Sequence, residues 1–551
     1  MPAGVGTPAD RLLEQAIKGS RVRPTEQYSQ SLLAHCVASI LACLRQVRQA
    51  VQQDTSAPVT ALTLLASMDG VNVSAFTEEQ RETNLVAVRT AADNAAKAAA
   101  AYAFPYTPVS TLPDCGMMPW QQWGGDQLEP ALKIDPQLGS SPIRLVDAQF
   151  LINLARLGGR LVPRQELPDD AFIDLPALQN LGGGGSRGYC LRVIGISHCW
   201  LQPDSPDPLG TNLRLLGDIL ELFVEYESSA TGDRVCPGQY GVFIDFCSLH
   251  QKPAKGARTT VEEELFKRGL KHLDIIYSHA STIILRLTKM PDFYPEGFIF
   301  PMNSAPNIAA YMDRGWCFCE AAMCNLIKDS NLNLDLGNLT GTEQGLIKVM
   351  RRGMATREPP LLPSDFDSLV RKKSFTSKSA DEAVVSGLYH RAFLDRLSTA
   401  QWLYLGDVNW HDEHLASFAK VVATGLLSKL RRLELTDNFF SDEGIVAFLG
   451  AGGRGKLTGL KWLGLHSSRD MIRYNAVLRE TQRSPPGAMV GHALVESIRI
   501  GSFPSLKLLQ VDATAQTPQL KALCLECGIA LPLDRPESGK MQRQLMAEGA
   551  I

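Results

Sequence analysis

A chain of 551 residues exceeds what a single hydrophobic core organises, so roughly three or four domains are expected. Its 55 basic residues nearly balance 58 acidic ones, and the formal net charge of −3 leaves no basic field of the kind nucleic acid or an anionic membrane requires. Hydrophobic content of 45% and charged content of 21% are ordinary for globular protein, and no stretch approaches the ~20 apolar residues of a membrane span.

Residues 1–145 are expected to be a helical N-terminal region with an irregular, Pro/Gly-rich segment at its end. The pattern from 8 to about 104 is helical, and Asn84–Ala103 is alanine-rich, which favours helix by propensity. The start, Met1-Pro2-Ala3-Gly4-Val5-Gly6, lacks the basic stretch and apolar core of a secretory signal. Most cysteines, Cys36, Cys199, Cys247 and Cys317 among them, sit inside apolar runs. Reduced thiols and a cytoplasmic location are the expectation.

The pattern changes over 146–344. Leu191–Ile196, Tyr240–Ile244 and Thr282–Leu285 are short apolar runs of the sort that form strands covered on both faces. Helical patterns at Leu213–Tyr226 and Val261–Tyr277 separate them, which predicts a parallel α/β sheet with right-handed crossovers. The run Tyr311–Glu320 opens a further helical pattern, expected to continue through Ile327. Residues four apart share a helix face, so Trp316, Glu320, Met323 and Ile327 form one stripe, apolar except for Glu320. A glutamate there must be paired, shifted in pKa, or turned into a cleft.

Residues 345–398 are predicted to be a helical connector with a basic, serine-rich interruption at Arg371–Lys378. The last region, 399–551, contains an internal repeat. Leu430-x-x-Leu433-x-Leu435-x-x-Asn438 recurs at Leu460-x-x-Leu463-x-Leu465 and Leu506-x-x-Leu509-x-Val511, with an earlier copy at Ala400-x-x-Leu403-x-Leu405. Leu403, Leu433 and Leu463 are spaced by 30, and Leu509 follows 46 later because Ser467–Ser484 looks inserted. An acidic turn and an apolar helix follow each of the first two strands. This resembles leucine-rich repeats of the long, ribonuclease-inhibitor type, and the resemblance implies protein partners.

Ligands of open parallel sheets bind outside the carboxyl ends of the strands. On this reading Ser197, His198, Asp245 and Arg286 close their strands at one rim, with Glu320 near the same edge. Three stretches there are similar to Toll/interleukin-1 receptor (TIR) domains: Ile196-Ser197-His198, Phe243-Ile244-Asp245, and Trp316-Cys317-x-x-Glu320. The resemblance covers about 190–330 and implies a flavodoxin-like parallel sheet and self-association. In catalytic members the glutamate four after the tryptophan is essential for cleaving NAD. It therefore implies NAD as substrate with no permanently bound cofactor, Glu320 as the catalytic residue, and Ser197, His198, Asp245, Arg286 and Trp316 around the substrate. Nicotinamide leaves as a neutral ring, so no general acid is needed, and one fixed carboxylate can stabilise the ribosyl oxocarbenium ion. The long proline-rich turn after the first strand and the inserted stretch Lys289–Ala310 depart from the family pattern.

Plainer readings stand beside this one. Glu320 can form an ion pair with Arg286 or Arg314, His198 can be a hydrogen-bonded turn residue, Asp245 can cap a segment, and Trp316 can be packing. The chain is then a non-catalytic adaptor, or a binder of a small molecule without turnover. Gly450-x-x-x-x-Gly455-Lys456 imitates a phosphate loop, but Leu457 stands where a hydroxyl is needed, and the order is helix to strand. Cys524-x-x-Cys527 lacks a second ligand pair, so no metal site is expected. Gly182–Gly185 reads as a joint.

Overall fold

The computed structural model describes residues 120–545 except 182–189, 203–204, 208–209, 231–238, 254–255, 291–308, 376–377, 452–454, 467–486, 533–539 and 542. The predicted N-terminal helices, the glycine joint and the insertion after the third repeat lie outside them. The chain divides into two compact units, one holding 143–181 and 204–263, the other 117–142, 182–203 and 264–551. In chain order the first strands are β1 (Leu145–Asp147), β2 (Phe172–Ile173), β3 (Val193–His198), β4 (Gly241–Phe243), β5 (Ile283–Leu287) and β6 (Asn333–Asp335).

The first unit contains β1, β2 and β4. Within it β1 runs antiparallel to both others, Leu145 opposite Ile173 and Val146 opposite Val242. Expecting only parallel pairing around β4 was therefore incorrect. A three-residue strand buried on both faces looks alike in either orientation. Helix α1 (Ala148–Arg156) starts at Asp147, whose side chain accepts the Gln149 N–H at 2.8 Å. It packs on α2 (Thr211–Ala230). Gly217 lies at that contact, where a Cβ would come within 2.5 Å of the Ala155 side chain.

The second unit carries the parallel sheet. Strand β5 lies between β3 and β6, with Ser197, Arg286 and Asp335 in one row. Helices α3 (Leu273–Ser278), α4 (Gly315–Cys324), α5 (Pro363–Val370) and α6 (Lys378–Thr399) pack about it. The predicted single helix over 261–277 breaks at His272, and α4 stops at Cys324 instead of reaching Ile327. Just beyond that end Lys328 is buried, its Nζ donating to the carbonyls of His279 and Thr282 and to Thr282 Oγ1. Every residue of α4 except Trp316 is buried. A helix that is apolar all round belongs inside a core. On one side Phe318 stacks on Phe366 and Phe366 on Tyr389, with centroids 5.3 and 4.0 Å apart.

The same unit contains four further parallel strands, β7 (Trp402–Tyr404), β8 (Arg432–Glu434), β9 (Trp462–Gly464) and β10 (Leu508–Gln510), in spatial order. Their register aligns Leu403, Leu433, Leu463 and Leu509, the leucines of the sequence repeat. All four point inward and are fully buried. Helices α7 (Asp412–Ala423), α8 (Asp442–Ala451), α9 (Ala488–Arg499) and α10 (Pro518–Glu526) alternate with the strands. Asp407 and Asp437, 30 apart, both take left-handed φ of 54° and 58°. Asn438 sits beneath the turns: Nδ2 donates to the carbonyls of Leu405 and Leu435, and Oδ1 accepts from the N–H groups of Val408 and Trp410. Among the described residues no helix is long and apolar enough to cross a membrane.

Candidate functional site

Ser197 is the penultimate residue of β3, at the carboxyl end of the strand, and its side chain leaves the sheet on the face that α4 covers. Ser197 Oγ donates to Glu320 Oε2, and Tyr311 Oη lies within hydrogen-bond distance of the same Oγ. Because the serine proton is directed to the carboxylate, Tyr311 donates to Ser197, giving a chain from phenol to hydroxyl to carboxylate. All three residues are buried, Glu320 retaining 8% of its surface. Burial pushes the Tyr311 phenol well above its ordinary range, and the neighbouring Cys317 and Glu320 push the same way.

The helix carboxylate and the strand hydroxyl thus meet at one strand end, buried rather than facing an open crevice. Arg286, beside Ser197 in the register, is buried as well. Among the described residues its Nε has no hydrogen-bond partner. Its positive charge reaches Tyr311 and Cys324, opposing the rise of both. His198 is buried, and its carbonyl accepts from Cys317 Sγ at 3.6 Å. Trp316 is half-buried at the first turn of α4. Arg314 is turned elsewhere, its guanidinium donating to the carbonyls of Ala309 (2.9 Å) and Trp200 (2.6 Å).

Asp245 belongs to the first unit. There it opens a short helical turn, Asp245–Ser248, and its Oδ1 accepts from the N–H of Phe246 at 2.7 Å. The residue before the turn, Ile244, is its N-cap, and no side-chain cap bond is made there, so the expectation that Asp245 caps the segment is not met.

Tyr311 went unrecognised as a partner. It lies nine residues before Glu320, but a separate turn (Tyr311–Asp313) precedes α4, so helical periodicity carries no signal linking them. The phosphate-loop imitation leads from α8 toward β9, helix to strand, with 452–454 outside the described residues. Cys524 is buried and Cys527 exposed. Among the described residues no cluster of three or more His, Cys, Asp or Glu could hold a metal ion.

No protein-family model matches this chain, and neither does any curated protein or solved structure.

Proposed function

We propose that this chain is a protein-interaction scaffold, in which the strand–helix array of the second unit presents the recognition face and Glu320 serves the fold. The observation that carries this reading is the outward face of the array. Trp402 and Tyr404 alternate with buried Leu403 and remain 57% and 39% exposed. Next to them the Arg432 guanidinium lies 4.9 Å from the Tyr404 ring centroid and 3.3 Å from that of Trp462, while donating to Glu434 at 3.0 Å. Exposed tryptophan and tyrosine held beside a fixed arginine are the residue types that dominate binding energy at protein interfaces. The inward leucine register and the Asn438 ladder support the likeness to leucine-rich repeats. Glu320 fits this role because its carboxylate is hydrogen-bonded within the core by Ser197.

The double substitution Trp402→Ala/Tyr404→Ala tests the reading. Stability should change by no more than about 0.5 kcal/mol, as for surface positions generally. Proteins recovered with the wild-type chain from its own cells should be lost with the variant. Recovery of the same set by both chains would refute the face.

A second reading has its own support. Glu320, Ser197 and Arg286 gather at a strand end, and a buried guanidinium whose Nε has no partner among the described residues is an arrangement that functional sites use. This favours a TIR-like site that binds NAD and cleaves it through Glu320, with self-association through that domain.

A further inference from the structure

We propose that Cys199 and Cys317 form a redox-modification site, in which a hydroperoxide oxidises the pair to an intramolecular disulfide joining the turn after β3 to helix α4. Cys199 directly follows the last residue of β3, and Cys317 is the third residue of α4. Both are buried in one apolar group with Tyr311 and Ala321. Cys317 Sγ is 3.6 Å from the carbonyl oxygen of His198, the residue bonded to Cys199.

The surroundings divide the pair into two roles. The neighbouring Cys317 thiol brings the Cys199 thiol below its usual range against the effect of burial, and the Arg314 charge assists. Cys317 moves well up, through the neighbouring Cys199, burial and the nearby Glu320. The two shifts run in opposite directions, so Cys199 is the sulfur assigned the first attack and Cys317 the one that closes the bond. Other cysteines of α4 have different settings. Cys319 Sγ points to the Val385 carbonyl at 3.5 Å, and burial pushes Cys324 up to about 11.

The chemistry balances with one peroxide. The Cys199 thiolate attacks an oxygen, the O–O bond breaks, and Cys199 sulfenic acid forms with hydroxide, which takes up the thiol's proton. The Cys317 sulfur then attacks the Cys199 sulfur. The S–O bond breaks, the S–S bond forms, and water leaves with the Cys317 proton. Two thiols lose two electrons and two hydrogens, and hydrogen peroxide becomes two waters (an organic hydroperoxide becomes one water and one alcohol). The bond would fasten α4 to the strand end three residues before Glu320.

The test treats the full chain with hydrogen peroxide, blocks remaining thiols after denaturation, and maps peptides by mass spectrometry. The expected product is a Cys199–Cys317 linked pair, lighter by two hydrogens and reversed by dithiothreitol. With Cys317→Ser, Cys199 should stop at the sulfenic acid and react with a dimedone probe. With Cys199→Ser, Cys317 should stay reduced at the same dose. Recovery of both cysteines as free thiols in the wild-type chain, at a dose that oxidises the exposed Cys527, overturns the proposal. So does linkage of Cys199 to any other cysteine. The wild-type peptide map distinguishes these outcomes even where a variant does not fold.

Discussion

Glu320 shows how a carboxylate survives inside a core: Ser197 donates to it, and Tyr311 donates to the serine in turn. Such a chain is costly to interrupt, since the remaining polar group keeps its burial and loses its partner. Ser197→Ala should therefore cost about 1–3 kcal/mol in urea melts. The doubly substituted Ser197→Ala/Glu320→Gln should be less destabilised than the sum of the single changes, because the two share one interaction. Strict additivity would show that the contact contributes nothing. His279 gives a second residue-level expectation. Its Nε2 lies 2.9 Å from the Gly124 carbonyl, and its Nδ1 accepts the Ser281 N–H at 3.0 Å, which assigns the neutral tautomer. Burial, helped by Arg396 and Lys328, holds its pKa down at about 3 against an ordinary 6.5. Below pH 6.5 the unfolded chain takes up a proton that the folded one refuses, so stability falls as pH drops from 6.5 toward 3. Melts at pH values of about 7.5, 5.5 and 4.5 should show that loss, and His279→Gln should flatten it. An unchanged slope in the variant would remove His279 as the cause.

At the scale of elements, legibility followed repetition. The array was readable because the same leucines recur at the same offsets, and the register places those leucines opposite one another. Helix α4 was readable as an element but not at its ends: the pattern from Tyr311 opens with a separate turn, and the helix spans Gly315–Cys324. How deeply α4 is buried was not readable. Its far face is covered by Phe366 on α5 and Tyr389 on α6, residues distant in sequence whose own patterns name no partner. The antiparallel pairing of β1 was missed for a related reason: three residues carry no alternation to read. Within the array, Asn438 meets the buried backbone groups of two successive turns with four hydrogen bonds. Asn438→Ala should lower stability by at least about 2 kcal/mol by leaving such groups unpaired. A loss below ~0.5 kcal/mol would mean that the turns hold themselves. Gly315→Ala should also destabilise, because its Cβ would overlap the Phe375 ring.

For the whole molecule, the proposed scaffold role draws on the near-neutral charge balance and the exposed aromatic face. The array and the parallel sheet belong to one compact unit, fastened by Arg357. Its guanidinium donates to the carbonyls of Lys328 and Tyr404, and its own carbonyl accepts from Trp410 Nε1. A partner on the outward strand face would therefore press on a framework that also carries Ser197 and Glu320. Whether that framework reacts or only holds is the central question, and nicotinamide release from NAD answers it most directly. The full-length protein, assayed dilute, concentrated and crowded, should release none above a protein-free control. Release that vanishes in a stably folded Glu320→Gln chain would contradict the scaffold account and make Glu320 a catalytic residue.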